Sequence, residues 1–292
     1  MLVAKCVVKI IIAPFLLLLL ACSPPQLIIL EDYHTATYFE VMRFVETQPP
    51  GQSYSMLNFD MHSDSNLNPY THKVLDIMSS QETPLESRHR LMKERNYFEV
   101  FSWLDPLLGE IVTDYTWVTL VGEEVFPMDQ RFEYHYQRTD PTHWDYFHIE
   151  YWTRDMPYPQ EPTILTVDLD AFQPYTPEEG RLIAQEFWKW AAGHQWALIT
   201  SCVSTPYQDG IPEALEILHF NLEAMVENGF QVDIKTQESY GLDLSRPARM
   251  AYHDGKLPPL IDWQNLPEKT SDYIGQQPLI QIRHTPASQL GN

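Results

Sequence analysis

Apolar residues along this chain fall into short unbroken runs separated by stretches of helical period. Leu27–Leu30 is four apolar residues in a row, the mark of a buried strand, and it ends in Glu31-Asp32-Tyr33-His34. From Thr35 the period changes. Phe39, Met42 and Val45 recur at three-residue steps and predict a helix to about Glu46, with Thr35 placed to cap it. Gln48-Pro49-Pro50-Gly51 breaks that helix, and Tyr54–Phe59 is the next strand. Strand, helix, strand is the unit from which parallel sheets are built.

The later pattern continues in the same vein. Thr71–Ser80 predicts a short helix. Glu82–Arg95 predicts a charged, solvated one carrying Arg88, His89, Arg90, Lys93 and Arg95. Tyr97–Leu108 predicts a helix that buries Phe98, Phe101, Trp103 and Leu104 and stops at Gly109, and Tyr115–Val121 predicts a strand. Phe126–Glu161 is aromatic and rich in turn residues. Its period-two stretches, Phe132–Tyr136 and Tyr146–Tyr151, predict an antiparallel excursion or an edge hairpin. Thr163–Val167 is a strand, and Thr176-Pro177-Glu178-Glu179 is a capping box opening a helix to about Ala192. Ala197–Val203 is a strand. Asp209-Gly210-Ile211-Pro212 opens a helix with Leu215, Leu218, Leu222 and Met225 on one face, closed by Asn228-Gly229, and Phe230–Ile234 is a strand. Beyond Leu242 prolines and polar residues dominate, and only Leu279–Ile282 predicts a strand. The expected fold is α/β: three αβα layers around a mostly parallel sheet, one domain over 27–292 with an aromatic-rich insertion near 126–161.

The first residues stand outside that pattern. Lys5 and Lys9 precede the apolar run Ile10–Leu20, and Leu19-Leu20-Ala21-Cys22 follows. A basic start, an apolar stretch too short for a comfortable membrane span, and a small-residue cut site make a leader over 1–21. Leu-x-Ala-Cys resembles the bacterial lipobox. That resemblance implies a mature chain tethered to the membrane by lipid on Cys22, with 22–26 as the tether. Ser23 at the next position points to an outer membrane facing the periplasm. Cys6 leaves with the leader and Cys22 carries lipid, so Cys202 alone remains. That excludes an intrachain disulfide and a thiolate zinc site. The net charge of −21 argues against nucleic acid as a partner and suits a cationic substrate or a cation site.

Candidate chemistry concentrates at two strand ends. Asn58-Phe59-Asp60-Met61-His62-Ser63-Asp64 follows the second strand, and Val167-Asp168-Leu169-Asp170 follows a later one. In an extended chain alternate side chains point the same way, so Asp60, His62 and Asp64 can face one pocket, as can Asp168 and Asp170. Carboxylate and imidazole together suit Mn²⁺, Fe²⁺, Co²⁺ or Zn²⁺. Five such groups exceed what one tetrahedral ion needs and match two ions sharing carboxylates, between which water becomes a nucleophile at neutral pH. His135, His143 and His148 are irregularly spaced and read as structural or substrate-facing.

Phe59-Asp60-Met61-His62-Ser63-Asp64 and Thr166-Val167-Asp168-Leu169-Asp170-Ala171-Phe172 resemble the two metal-binding signatures of the arginase/deacetylase (ureohydrolase) superfamily. With Leu30-Glu31-Asp32-Tyr33-His34 and Ser102-Trp103-Leu104-Asp105-Pro106, the chain is more closely similar to the family known as UPF0489, which includes members described as peptide arginases. The resemblance spans roughly 27–235. It implies that His34, Asp60, Asp64 and Asp168 serve one ion and His62, Asp60, Asp168 and Asp170 the other. Asp60 and Asp168 would bridge and act catalytically through the ions, with two Mn²⁺ preferred. His34 could instead cap its helix. The implied reaction is hydrolysis of a C–N bond in a guanidino group, peptidyl-arginine included, or an amide of a small-molecule or peptide substrate. The chain departs from ureohydrolases in two places. Ala197–Val203 lacks the glutamate that receives a guanidinium, though Glu238 could reach the site from elsewhere, and His72 does not match the spacing of their proton-shuttling histidine. A metal- or ligand-binding envelope lipoprotein without catalysis is the alternative.

Overall fold

The computed structural model describes residues 25–31, 34–65, 87, 103–109, 111–124, 127–130, 147–205, 208–236 and 261–283. Eight strands form one sheet: β1 (Leu27–Glu31), β2 (Tyr54–Phe59), β3 (Val112–Thr119), β4 (Phe147–Tyr151), β5 (Thr163–Asp168), β6 (Leu198–Cys202), β7 (Gln231–Lys235) and β8 (Ile280–Arg283). Their order is β4-β3-β2-β5-β6-β1-β7-β8, and every pairing is parallel. The described α-helices are α1 (Thr35–Glu46), α2 (Pro177–Ala192), α3 (Ile211–Glu227) and α4 (Glu268–Gln276).

The α/β reading holds, and the sheet is more uniform than "mostly parallel". Both faces are covered, as an all-parallel sheet requires. One side packs Leu57, Phe59, Leu165, Val167 and Ile234 against α2 and α3 through Phe187, Trp188, Leu218 and Phe220. The other packs Tyr54, Met56, Ile164 and Trp117 against Tyr38, Phe39 and Met42 of α1 and the turn residues Trp103–Leu108. Alternation along β2 decides which residue faces which layer. Gly180 on α2 permits the close approach of α3, since a Cβ there would sit 3.0 Å from Phe220 Cζ.

Three expectations change. Phe147–Tyr151 is neither hairpin nor antiparallel: it pairs with β3 in parallel at the sheet edge. Its alternating pattern reflects burial on one face only, which any edge strand can show. Trp103–Gly109 forms turns rather than the end of a helix. Pro106 there lacks a backbone donor and would clash within a helix. α1 starts at Thr35 with His34 as its cap position, so Thr35 does not cap it. α4 was not foreseen. The helices expected at 71–80 and 82–95, apart from Ser87, which is helical, lie outside the described residues. So do 97–102, the stretch 132–136, His72, His135, His143, Glu238, Cys22 and the leader. Among the described residues, no helix is long and apolar enough to cross a membrane.

Candidate metal centre

The four central strands, β2, β5, β6 and β1, end side by side, and their carboxyl ends carry or lead to every candidate ligand. In parallel α/β sheets such ends form the ligand-binding rim. Asn58 of β2 pairs in register with Thr166 of β5, and Asp168 with Cys202 of β6, which also pairs with Glu31 of β1. Three residues past β1 stands His34. It occupies the N-cap of α1 but makes no side-chain cap bond. Its ring turns into the rim instead.

His34 Nδ1 lies 2.5 Å from Asp64 Oδ2, 3.1 Å from Asp60 Oδ2 and 3.3 Å from Asp168 Oδ2. His62 Nδ1 lies 3.0 Å from Asp170 Oδ2 and 3.6 Å from Asp60 Oδ1. Asp60 thus presents one oxygen to each imidazole. Asp168 is placed differently: Oδ2 faces His34, while Oδ1 accepts the Asp170 backbone N–H at 3.1 Å, capping the single turn of 3-10 helix Leu169–Phe172. His34 and Asp60 are wholly buried, whereas the His62 side chain is 39% exposed. There is an inner position around His34 and an outer, accessible one around His62.

A second layer holds these groups. Trp103 Nε1 donates to Asp64 Oδ2 at 2.5 Å, and Ser204 Oγ donates to Asp168 Oδ2 at 2.6 Å. Asn58 Nδ2 donates to Asp60 Oδ2 at 3.2 Å, and the His62 backbone N–H donates to Asp60 Oδ1 at 2.7 Å. The loop after β2 is pinned from β3, where Tyr115 OH donates to the Ser63 carbonyl at 2.8 Å and Trp117 Nε1 to the Asp60 carbonyl at 3.0 Å. Asp64 and Ser204 both adopt left-handed backbone conformations, at φ 50° and 49°. Such conformations cost free energy in non-glycine residues and gather at functional sites.

The donor set fits a cation. Four buried carboxylates face two imidazoles, and among the described residues no lysine or arginine forms an ion pair with them. Buried charges are ordinarily paired or bound to metal. His34 Nε2 lies 3.0 Å from Thr166 Oγ1, while Nδ1 has no hydrogen-bond partner although it is buried. If Nε2 carries the proton given to Thr166, Nδ1 turns a lone pair toward three carboxylate oxygens. Only a proton or a metal ion between them relieves that. Three groups of side chains offer ligand atoms within 4.8 Å of one another: His34/Asp60/Asp64, Asp60/His62/Asp170 and His34/Asp168/Cys202.

Without metal the electrostatics are strained. Burial works to lower the His34 imidazole, but Cys202, Asp64 and the Asp168 and Asp60 carboxylates that face it raise it well above its ordinary value. His62 is raised likewise: burial opposes, and Asp170 and Asp60 prevail. Burial works to raise Asp60, yet the two imidazoles beside it hold it far below the carboxylate range. Asp64 is pushed well up by burial and by Asp60. Asp170 is pushed up to about 7 by burial and by the charges of Asp168 and Asp60.

All six residues expected from sequence, His34, Asp60, His62, Asp64, Asp168 and Asp170, come together here. His148 does not: it pairs with Asp114 at 3.2 Å on the exposed sheet edge. Sequence reasoning missed Asn58, Thr166, Ser204 and Cys202. The first two were within reach, each two residues before a ligand and therefore on the same strand face. No protein-family model matches the chain, and no curated protein matches it.

Proposed function

We propose that this chain is a metal-dependent hydrolase of C–N bonds other than peptide bonds, held at the bacterial envelope by lipid on Cys22. The observation that carries this reading is Asp60, whose two oxygens divide between the imidazoles of His34 and His62. A carboxylate so placed would serve both ions of a two-ion site. The oxygen-rich set suits two Mn²⁺, with Fe, Co or Zn as the other candidates. When bound, such ions supply Lewis acidity and acidify water.

The protein's own residues set the rest. His34, Asp60, Asp64 and Asp168 would hold the inner ion, with Trp103 and Ser204 fixing two of the carboxylates. His62 and Asp170 would hold the outer one, with Asp60 available to both. Substrate approaches on the His62 side, where the site is exposed. A guanidino group, of peptidyl-arginine or a small molecule, or an amide is the substrate class, and the −21 charge favours a cationic one. The test is metal content of protein purified without chelator, with hydrolysis of guanidino and acyl-amide panels by wild type, Asp60→Ala and Asp168→Ala. Metal bound by wild type, turnover, and loss of both in the variants is the expected result. Variants that keep metal and full activity would sink the proposal.

The second reading is a metal-binding envelope protein without turnover. It is favoured by β6, whose residues Leu198-Ile199-Thr200-Ser201-Cys202 include no carboxylate to receive a guanidinium. Stoichiometric metal with no turnover on either panel would select it.

A further inference from the structure

Cys202 is a residue at this rim that the hydrolase reading does not use. It closes β6, in register with Asp168 on one side and Glu31 on the other, and it is fully buried. Its sulfur, an imidazole nitrogen of His34 and a carboxylate oxygen of Asp168 lie within 4.8 Å of one another. The Ser204 hydroxyl stands 3.2 Å from the sulfur and donates to Asp168 Oδ2, so one side chain positions both groups. A lone buried cysteine is ordinarily core filling. Here a second feature points to a ligand: His34 Nδ1 is wholly buried, has no hydrogen-bond partner, and faces the carboxylates of this rim.

We propose that Cys202 is a thiolate ligand of the inner ion, so that the two positions differ in kind. This rests on the two-ion reading above. The inner position combines sulfur, imidazole and carboxylate, a set that selects Zn²⁺ or Co²⁺ over Mn²⁺. The outer position, Asp60, His62 and Asp170, has no sulfur and keeps the preference for Mn²⁺. As the sulfur–metal bond forms, the thiol proton is released to solvent, so inner-site loading liberates protons. From the sequence a lone cysteine reads as excluding a thiolate zinc site; on this proposal histidine and aspartate would complete the set around it.

Cobalt is the probe. The full chain, stripped of metal, is titrated with Co²⁺ alone, alongside Cys202→Ser, which nearly preserves side-chain volume. The expected result is a sulfur-to-cobalt charge-transfer band in the near ultraviolet with the first equivalent, beside the visible ligand-field bands. Cys202→Ser should keep the ligand-field bands and lose the charge-transfer band. Ligand-field bands in wild type without charge transfer would overturn the thiolate assignment and leave the two-ion reading standing. So would a charge-transfer band that persists in Cys202→Ser. No cobalt bound by wild type would overturn both.

Discussion

Asp60 and Asp170 differ in what each can lose. Asp60 serves both imidazoles, whereas Asp170, among the described residues, meets only the His62 ring. Asp60→Asn should therefore empty both positions, and Asp170→Asn only the outer one. Elemental analysis of the purified variants reads this directly, and equal losses would refute the division. Trp103 makes a finer point. Its Nε1 cannot change role, being a donor only, so it fixes the orientation of the Asp64 carboxylate. Trp103→Phe keeps the ring and removes that bond. Losing an outer-shell partner typically costs about 10–100-fold in metal affinity, and chelator competition should show a loss in that range at the inner position. Thr166 belongs to the same layer through His34 Nε2.

α2 is the helix whose local signals were clearest. Thr176 accepts from the Glu179 N–H, and Glu179 reaches back to the Thr176 N–H, with Pro177 as the first helical residue. All of this was legible in Thr-Pro-Glu-Glu, because a capping box is a contact between near neighbours. Thr176→Ala should cost about 1 kcal/mol, read as a lower urea midpoint with unchanged metal content. The strands leading to the site were legible for a related reason: both faces of a parallel sheet are buried, so each strand reads as an apolar run. What the sequence could not supply was non-local. The partner and direction of Phe147–Tyr151 depend on a strand some thirty residues earlier, and alternation is silent about direction. α4 buries only Thr270 and Ile274, too thin a stripe to announce a helix. Cys202 joins the ligand groups only because β6 lies between β1 and β5, a strand order that no local pattern encodes.

Folding brings four buried carboxylates and two imidazoles, His34 buried and His62 partly exposed, into one rim, which should make the stability of the whole molecule depend on pH and metal together. In the metal-free protein Asp170 titrates at about 7, against about 3.9 for an unfolded aspartate. Between those values the folded chain holds a proton that the unfolded chain has released, so stability falls as pH rises. Asp64 is shifted upward in the same sense. His34 and His62 are raised, so their contribution is full below the unfolded value near 6.5 and is lost as pH climbs through the folded values. Asp60 acts oppositely: its contribution is present above about 4 and is lost only in acid. From pH 5 to 8 the metal-free chain should therefore lose thermal stability steadily. Metal should reverse the slope, because the ligands that proton loss leaves as bare charges would become its binding site, with affinity rising with pH. At a free metal concentration 100 times Kd, each ion should add about 2.7 kcal/mol, or roughly 5–10 °C in Tm for a chain of this size. Scanning calorimetry of stripped and Mn²⁺- or Zn²⁺-loaded protein across that range is the measurement. The two curves should diverge with rising pH. A metal-free Tm that rises toward pH 8, or a Tm indifferent to both ions there, would mean that the cluster is held together by something other than a cation.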